Sequence, residues 1–167
     1  MKNKNIIITV AALLIILFGI GWFWKPAPRP RQSANTSPNF TGSIEASETS
    51  FNFGTISMAA GNVSHTFKIK NSSGESSLIA ALYTSCMCTS ASITKAGTKF
   101  GPFGMPGHGP TPKINQVLAP DEEATVEVIF DPAAHGPAGV GLIERVVYVE
   151  TGSGLPIKFS FRAMVTP

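Results

Sequence analysis

The chain has 167 residues, 43% of them apolar and 14% charged, with 16 Gly and 13 Pro. That length suits one domain plus a short appendage and excludes a multidomain enzyme, while the apolar content excludes a disordered chain. The formal charge of +3 does not point to nucleic acid: Lys2, Lys4, Lys25, Arg29 and Arg31 flank one apolar run, and from Gln32 onward eight Lys and Arg face ten Asp and Glu, a formal charge of −2, so no basic surface for phosphate is expected.

Residues 6–24 are that apolar run: 19 residues without a charge, twelve of them Ile, Leu, Val or Phe. At about 1.5 Å per residue a helix of this length reaches roughly 28 Å, close to the thickness of a hydrocarbon core. Trp22 and Trp24 fall at the boundary, where an amphipathic indole is most stable. Residues 1–24 are therefore expected to be an N-terminal membrane anchor, with a signal-anchor helix over 6–24. A cleaved secretory signal needs a shorter apolar core and a small-x-small site, and Trp22-Phe23-Trp24-Lys25-Pro26 stands in its place. No Cys follows directly, which excludes a lipoprotein anchor. Positive charges lie on both sides of the run, so their count does not orient it. Residues 25–44, Pro-rich and then polar, read as a linker.

From residue 45 to 167 the pattern is strands with turn punctuation. Phe51 and Phe53 alternate before a break at Gly54. Val63, His65, Phe67 and Ile69 oppose Ser64, Thr66, Lys68 and Lys70 until Asn71-Ser72-Ser73-Gly74 ends the run. Further strands are expected over 78–84, 124–130, 143–150 and 157–165, with no helical stripe of three turns. The pattern predicts an all-β, immunoglobulin-like antiparallel β-sandwich of about seven strands, preceded by the transmembrane helix. Phe51, Phe53, Phe67, Phe130, Phe159 and Phe161 are its expected largest core residues, each contributing about 1.5–3 kcal/mol by burial.

Four blocks carry a family resemblance: Ser50-Phe51-Asn52-Phe53-Gly54-Thr55-Ile56, His65-Thr66-Phe67-Lys68-Ile69-Lys70-Asn71, Ser85-Cys86-Met87-Cys88-Thr89, and Leu118-Ala119-Pro120-Asp121-Glu122. In this order they resemble the bacterial domain of unknown function 1573 family, itself similar to HYDIN, ASH and major-sperm-protein-like immunoglobulin-type domains. The resemblance spans roughly residues 45–165 and implies an exported or anchored bacterial protein with no established activity. Two departures stand out. Met87 replaces the Gly common between the paired Cys, and the connection after Cys88 is longer than usual, carrying a Gly-rich loop over 100–110.

Cys86-Met87-Cys88 is the sharpest local feature. On an extended strand residues i and i+2 share a face, so the two thiols converge while Met87 points away. Thiolate, thioether and imidazole suit Cu(I), or Zn with a fourth ligand, and the candidate metal set is Cys86, Cys88, His108 and Met105, with loop 100–110 folding back over the thiols. Two other readings stand beside it: buried structural cysteines with Met105 filling a gap, or a redox-active bridge strained by an extended Cα separation of about 6.6 Å. His135 reads as a solvent-facing turn residue or a partner of a backbone carbonyl, with a ligand role as the alternative, and His65 as a satisfied, largely buried residue.

No nucleophile elbow, zinc-protease, phosphate-loop or dinucleotide motif is present, and Asp121-Glu122-Glu123 reads as a solvated turn. Asn-x-Ser/Thr at Asn35, Asn39, Asn62 and Asn71 is read as incidental. The functional expectation is a membrane-tethered, extracytoplasmic binding or structural module without catalytic activity. It is single-pass in a bacterial cytoplasmic membrane and has a protein partner in the cell envelope. The alternative is a copper- or zinc-binding or thiol-redox protein using Cys86-Met87-Cys88 and the loop 100–110.

Overall fold

Ten strands form among residues 40–107 and 111–167, the residues that the computed structural model describes, and alternating burial is clearest in β3, β8 and β10. The anchor helix over 6–24, most of the linker and His108 lie outside them. Among the described residues no helix is long and apolar enough to cross a membrane. In chain order the strands are β1 (Ile44–Ala46), β2 (Ser50–Ser57), β3 (Val63–Asn71), β4 (Ser77–Thr84), β5 (Thr89–Lys95), β6 (Thr98–Phe103), β7 (Lys113–Leu118), β8 (Glu123–Phe130), β9 (Gly141–Thr151) and β10 (Ile157–Thr166). One sheet runs β1-β3-β8-β5-β6 and the other β2-β10-β9-β4-β7.

The all-β, sandwich-like reading holds, with two corrections. The first strand segment changes sheets: β1 pairs antiparallel with β3, whereas β2 pairs parallel with β10, so the fold is not wholly antiparallel. The second concerns strand number. The long connection after Cys88 folds into a β5–β6 hairpin and β7. Ala96 and Gly97, at φ of 46° and 79°, form the two-residue turn whose twist suits adjoining antiparallel strands. Small side chains hide β5 in the sequence. Thr89, Ala91, Ser92 and Ile93 are all buried, so apolar and polar residues do not alternate there.

Gly54 marks a bulge rather than a strand end. Asn52 pairs with Arg162 and Thr55 with Met164, so β2 carries one extra residue, and Gly54 absorbs it at φ 71°. Phe67, Phe159, Phe161 and Phe130 lie in the core between the sheets, Phe67 stacking on Phe159 at 4.5 Å. Phe51 and Phe53 pack against that core from its margin. His65 is satisfied as expected, stacked on Phe51 at 3.6 Å with Nε2 2.7 Å from a Glu48 carboxylate oxygen.

Packing begins inside the segment read as linker. The Ser72 amide donates to the Ser43 carbonyl at 3.0 Å, and the Ser43 amide to the Ser73 hydroxyl at 3.1 Å. Next to this contact Asn71 is fully buried. Its Nδ2 donates to the carbonyls of Glu75, Leu118 and Ala119 at 2.8–3.0 Å, and its Oδ1 accepts from the amide and hydroxyl of Ser73. One amide side chain thus ties together two turns, the one after β3 and the one between β7 and β8, by supplying a donor to three of their carbonyls.

Candidate functional site at the Cys86–Cys88 turn

The paired cysteines do not sit on an extended strand. β4 ends at Thr84 in one sheet and β5 begins at Thr89 in the other, and residues 85–88 make the crossing. The chain turns tightly there: the Thr89 amide donates to the Cys86 carbonyl at 3.2 Å, and the Cα atoms of Cys86 and Cys88 are 5.3 Å apart, short of an extended spacing. Cys86 and Cys88 are joined as a disulfide. Of the readings open from the sequence, the bridge is the one present, and it forms in a turn instead of an extended segment.

Neighbouring groups hold this turn from both sheets. The buried Thr84 hydroxyl is shared between the carbonyls of Cys86 and Thr89, at 2.9 and 3.0 Å. Ser85 locks onto β9, its amide donating to the Val146 carbonyl and its hydroxyl accepting from the Val146 amide, both at 2.9 Å. Cys86 and Cys88 are buried, whereas Met87 between them is 71% exposed.

Two residues outside the expected set face the sulfurs. His135 Nε2 lies 3.2 Å from Cys86 Sγ, and Arg145 donates from Nε to Cys88 Sγ at 3.4 Å. His135 stands in the turn after β8, where the Asp131 carboxylate accepts from the Ala133 amide at 2.9 Å before a short 3-10 turn over Gly136–Gly139. Asp131 itself donates its amide to the Cys88 carbonyl at 2.9 Å, which ties the two turns together.

The expected ligand set is therefore corrected. Cys86 and Cys88 are together, but their sulfurs are bonded to each other, so a metal centre has no support in this oxidised form. The imidazole beside the sulfurs is that of His135; His108 lies outside the described residues. Met105 is half exposed, although the loop that bears it does return to this end, with the Gly104 carbonyl accepting from the Thr84 amide at 3.2 Å. The sequence offered one signal for His135, its place at the opening of a Gly-rich turn that follows a strand end. Nothing in it singled out Arg145, which reads as an ordinary charged residue within a strand.

No curated protein matches the chain. Among solved structures it is similar to a protein of unknown function from Porphyromonas gingivalis W83, at 11% identity and a TM-score of 0.55, covering 80% of this chain and 51% of that one. The chain thus spans about half the length of that relative, and the likeness shows the fold alone. It is also similar to the ASH/PapD-like domain 7 of human CEP192, at 16% identity and a TM-score of 0.44, covering 83% and 98% of the two chains. The CooA pilin subunit of enterotoxigenic Escherichia coli matches at 12% identity and a TM-score of 0.42, covering 75% and 99%. In sequence, residues 44–104, from β1 to just past β6 and including the Cys86–Cys88 turn, match the model of the family described as protein of unknown function DUF1573.

Proposed function

We propose that the protein is a membrane-tethered, extracytoplasmic module that acts by binding a protein of the bacterial cell envelope and not by catalysis. The observation that carries this reading is the open edge of β3. The Ser47 amide donates to the Lys68 carbonyl and the Ser72 amide to the Ser43 carbonyl, so the even-numbered residues of β3 turn their backbone groups toward β1. β1 stops at Ala46, and the chain then leaves for the other sheet. Beyond Lys68 the outward backbone groups of Thr66 and Ser64 meet no backbone partner among the described residues. An extended partner segment can add there as a further strand.

Two features support the location. The uncharged run over 6–24 is long enough to anchor the chain. A disulfide persists in oxidising compartments and is rare in the cytoplasm. A tether of this kind raises the effective concentration of the domain near other envelope proteins.

Site-specific photocrosslinking in intact envelopes tests the reading. A crosslinker at Thr66 of the full chain is expected to capture a discrete protein. A second substitution, Ser64→Pro, removes one outward amide without touching the β3–β8 ladder and should abolish capture. Recovery of nothing above background at Thr66, or of the same proteins from a crosslinker at exposed Lys158, would overturn it.

A further inference from the structure

Three soft donors converge at the sheet crossing. Cys86 Sγ, Cys88 Sγ and His135 Nε2 lie within 4.8 Å of one another, and both cysteines are buried. We propose that, once the Cys86–Cys88 bridge is reduced, these three atoms bind a single Cu(I) ion, so that the disulfide is the closed state of a redox-gated metal site. This goes beyond the strand-edge reading and does not depend on it.

The distances suit such an ion. Metal–sulfur bonds of about 2.3 Å and a metal–nitrogen bond of about 2.0 Å, arranged trigonally, place sulfur and nitrogen about 3.7 Å apart and the two sulfurs about 4.0 Å apart. His135 Nε2 already stands 3.2 Å from Cys86 Sγ, about half an ångström short of the first value, and breaking the sulfur–sulfur bond frees the two thiols to reach the second. The frame around them is independent of the bridge. The Asp131–Cys88 hydrogen bond holds the His135 turn against the cysteine turn, and Ser85 is locked to Val146 on β9.

Charge and donor type select the ion. Two thiolates and one neutral imidazole are soft ligands, and Cu(I) accepts three of them, whereas structural Zn takes four. Among the described residues no further His, Cys, Asp or Glu joins the group. Two thiolates on a monovalent ion leave one negative charge, and the Arg145 guanidinium, donating to Cys88 Sγ at 3.4 Å, offsets it.

The chemistry balances with a dithiol as reductant. The dithiol passes two electrons and two protons to the Cys86–Cys88 bond and becomes a disulfide, and the bridge opens to two thiols. Cu(I) binding then displaces both thiol protons. A disulfide oxidant reverses the step: it takes two electrons from the two thiolates and two protons from solvent and leaves as a dithiol, the Cys86–Cys88 bond re-forms, and the Cu(I) ion is released unchanged.

The test uses the full chain in detergent, reduced with dithiothreitol, desalted anaerobically and titrated with Cu(I) against the chromogenic chelator bicinchoninate. One equivalent is expected in the reduced protein and none in the unreduced protein or in Cys86→Ser/Cys88→Ser. His135→Ala and His135→Gln should each weaken binding by about 10- to 100-fold while leaving the far-ultraviolet circular dichroism unchanged. Copper X-ray absorption should report two sulfurs and one nitrogen, with the nitrogen lost in both His135 variants. Equal binding by reduced and unreduced protein, undiminished affinity in both His135 variants, or tighter binding of Zn than of Cu(I) would overturn the proposal.

Discussion

His135 Nε2 stands 3.2 Å from Cys86 Sγ although 49 residues separate the two along the chain. The sheet makes this contact. Thr89 of β5 pairs with Phe130 of β8, and one step further the Asp131 amide meets the Cys88 carbonyl. The cysteine turn before β5 and the histidine turn after β8 are thereby held side by side. Asp131→Ala removes the carboxylate that accepts from the Ala133 amide, and is expected to cost about 0.5–1.5 kcal/mol. In wild type the His135 imidazole resonances should shift when the disulfide is reduced. In Asp131→Ala that response should shrink, while Asp131→Asn, which keeps the acceptor, should retain it.

The bridge itself contributes little to global stability. It closes a loop of only three residues, and the chain-entropy relation assigns such a loop about 1–2 kcal/mol. Urea unfolding of Cys86→Ser/Cys88→Ser should show a loss of that size with an unchanged slope. Thiol counting on native protein should find none free before reduction and two after it.

Asn71 is the larger structural liability. Asn71→Ala leaves the carbonyls of Leu118 and Ala119 without their side-chain donor, Glu75 keeping only the Ser73 hydroxyl, at an expected cost of about 2–4 kcal/mol. A thermal melt should drop by roughly 10 °C. Because this side chain is fully buried, glycan attachment at the Asn71-Ser72-Ser73 match is incompatible with the fold.

Gly42 tests where the domain begins. A Cβ there meets the Glu75 carbonyl oxygen at 2.6 Å and crowds the Ser77 and Ser73 hydroxyls. Gly42→Ala is therefore expected to destabilise by about 1–3 kcal/mol, the cost of overpacking. A residue in a free linker would show no change, so one melting curve separates the two.

Tyr83 stacks on Tyr148 with ring centroids 5.0 Å apart. Burial raises its phenol pKa, and the neighbouring Glu150 carboxylate adds to the effect. Because the folded-state value lies above the unfolded one, stability falls as pH rises from about 10 through the folded-state value. Ultraviolet difference titration in a Tyr148→Phe background should place the Tyr83 transition above the usual phenol range. Glu150→Gln should lower it only in part, since burial is the larger cause.

The sequence by itself determined the class of fold. Bulky residues alternating at Val63, His65, Phe67 and Ile69, and again at Phe159 and Phe161, can be buried only by strands with one face inward, and turn residues punctuate them. It did not reveal β5, whose small buried residues carry no such alternation, or the bulge at Gly54, since a glycine suits a strand end equally well. The cysteine pair was legible as a site because its two members are neighbours in the chain. Of its partners, His135 had only a turn position and a ligand role among its readings in the sequence, and Arg145 had no signal; tertiary structure placed both at the sulfurs. β8 brings one beside the turn and β9 the other, and strand order and register are set by packing across the whole sandwich.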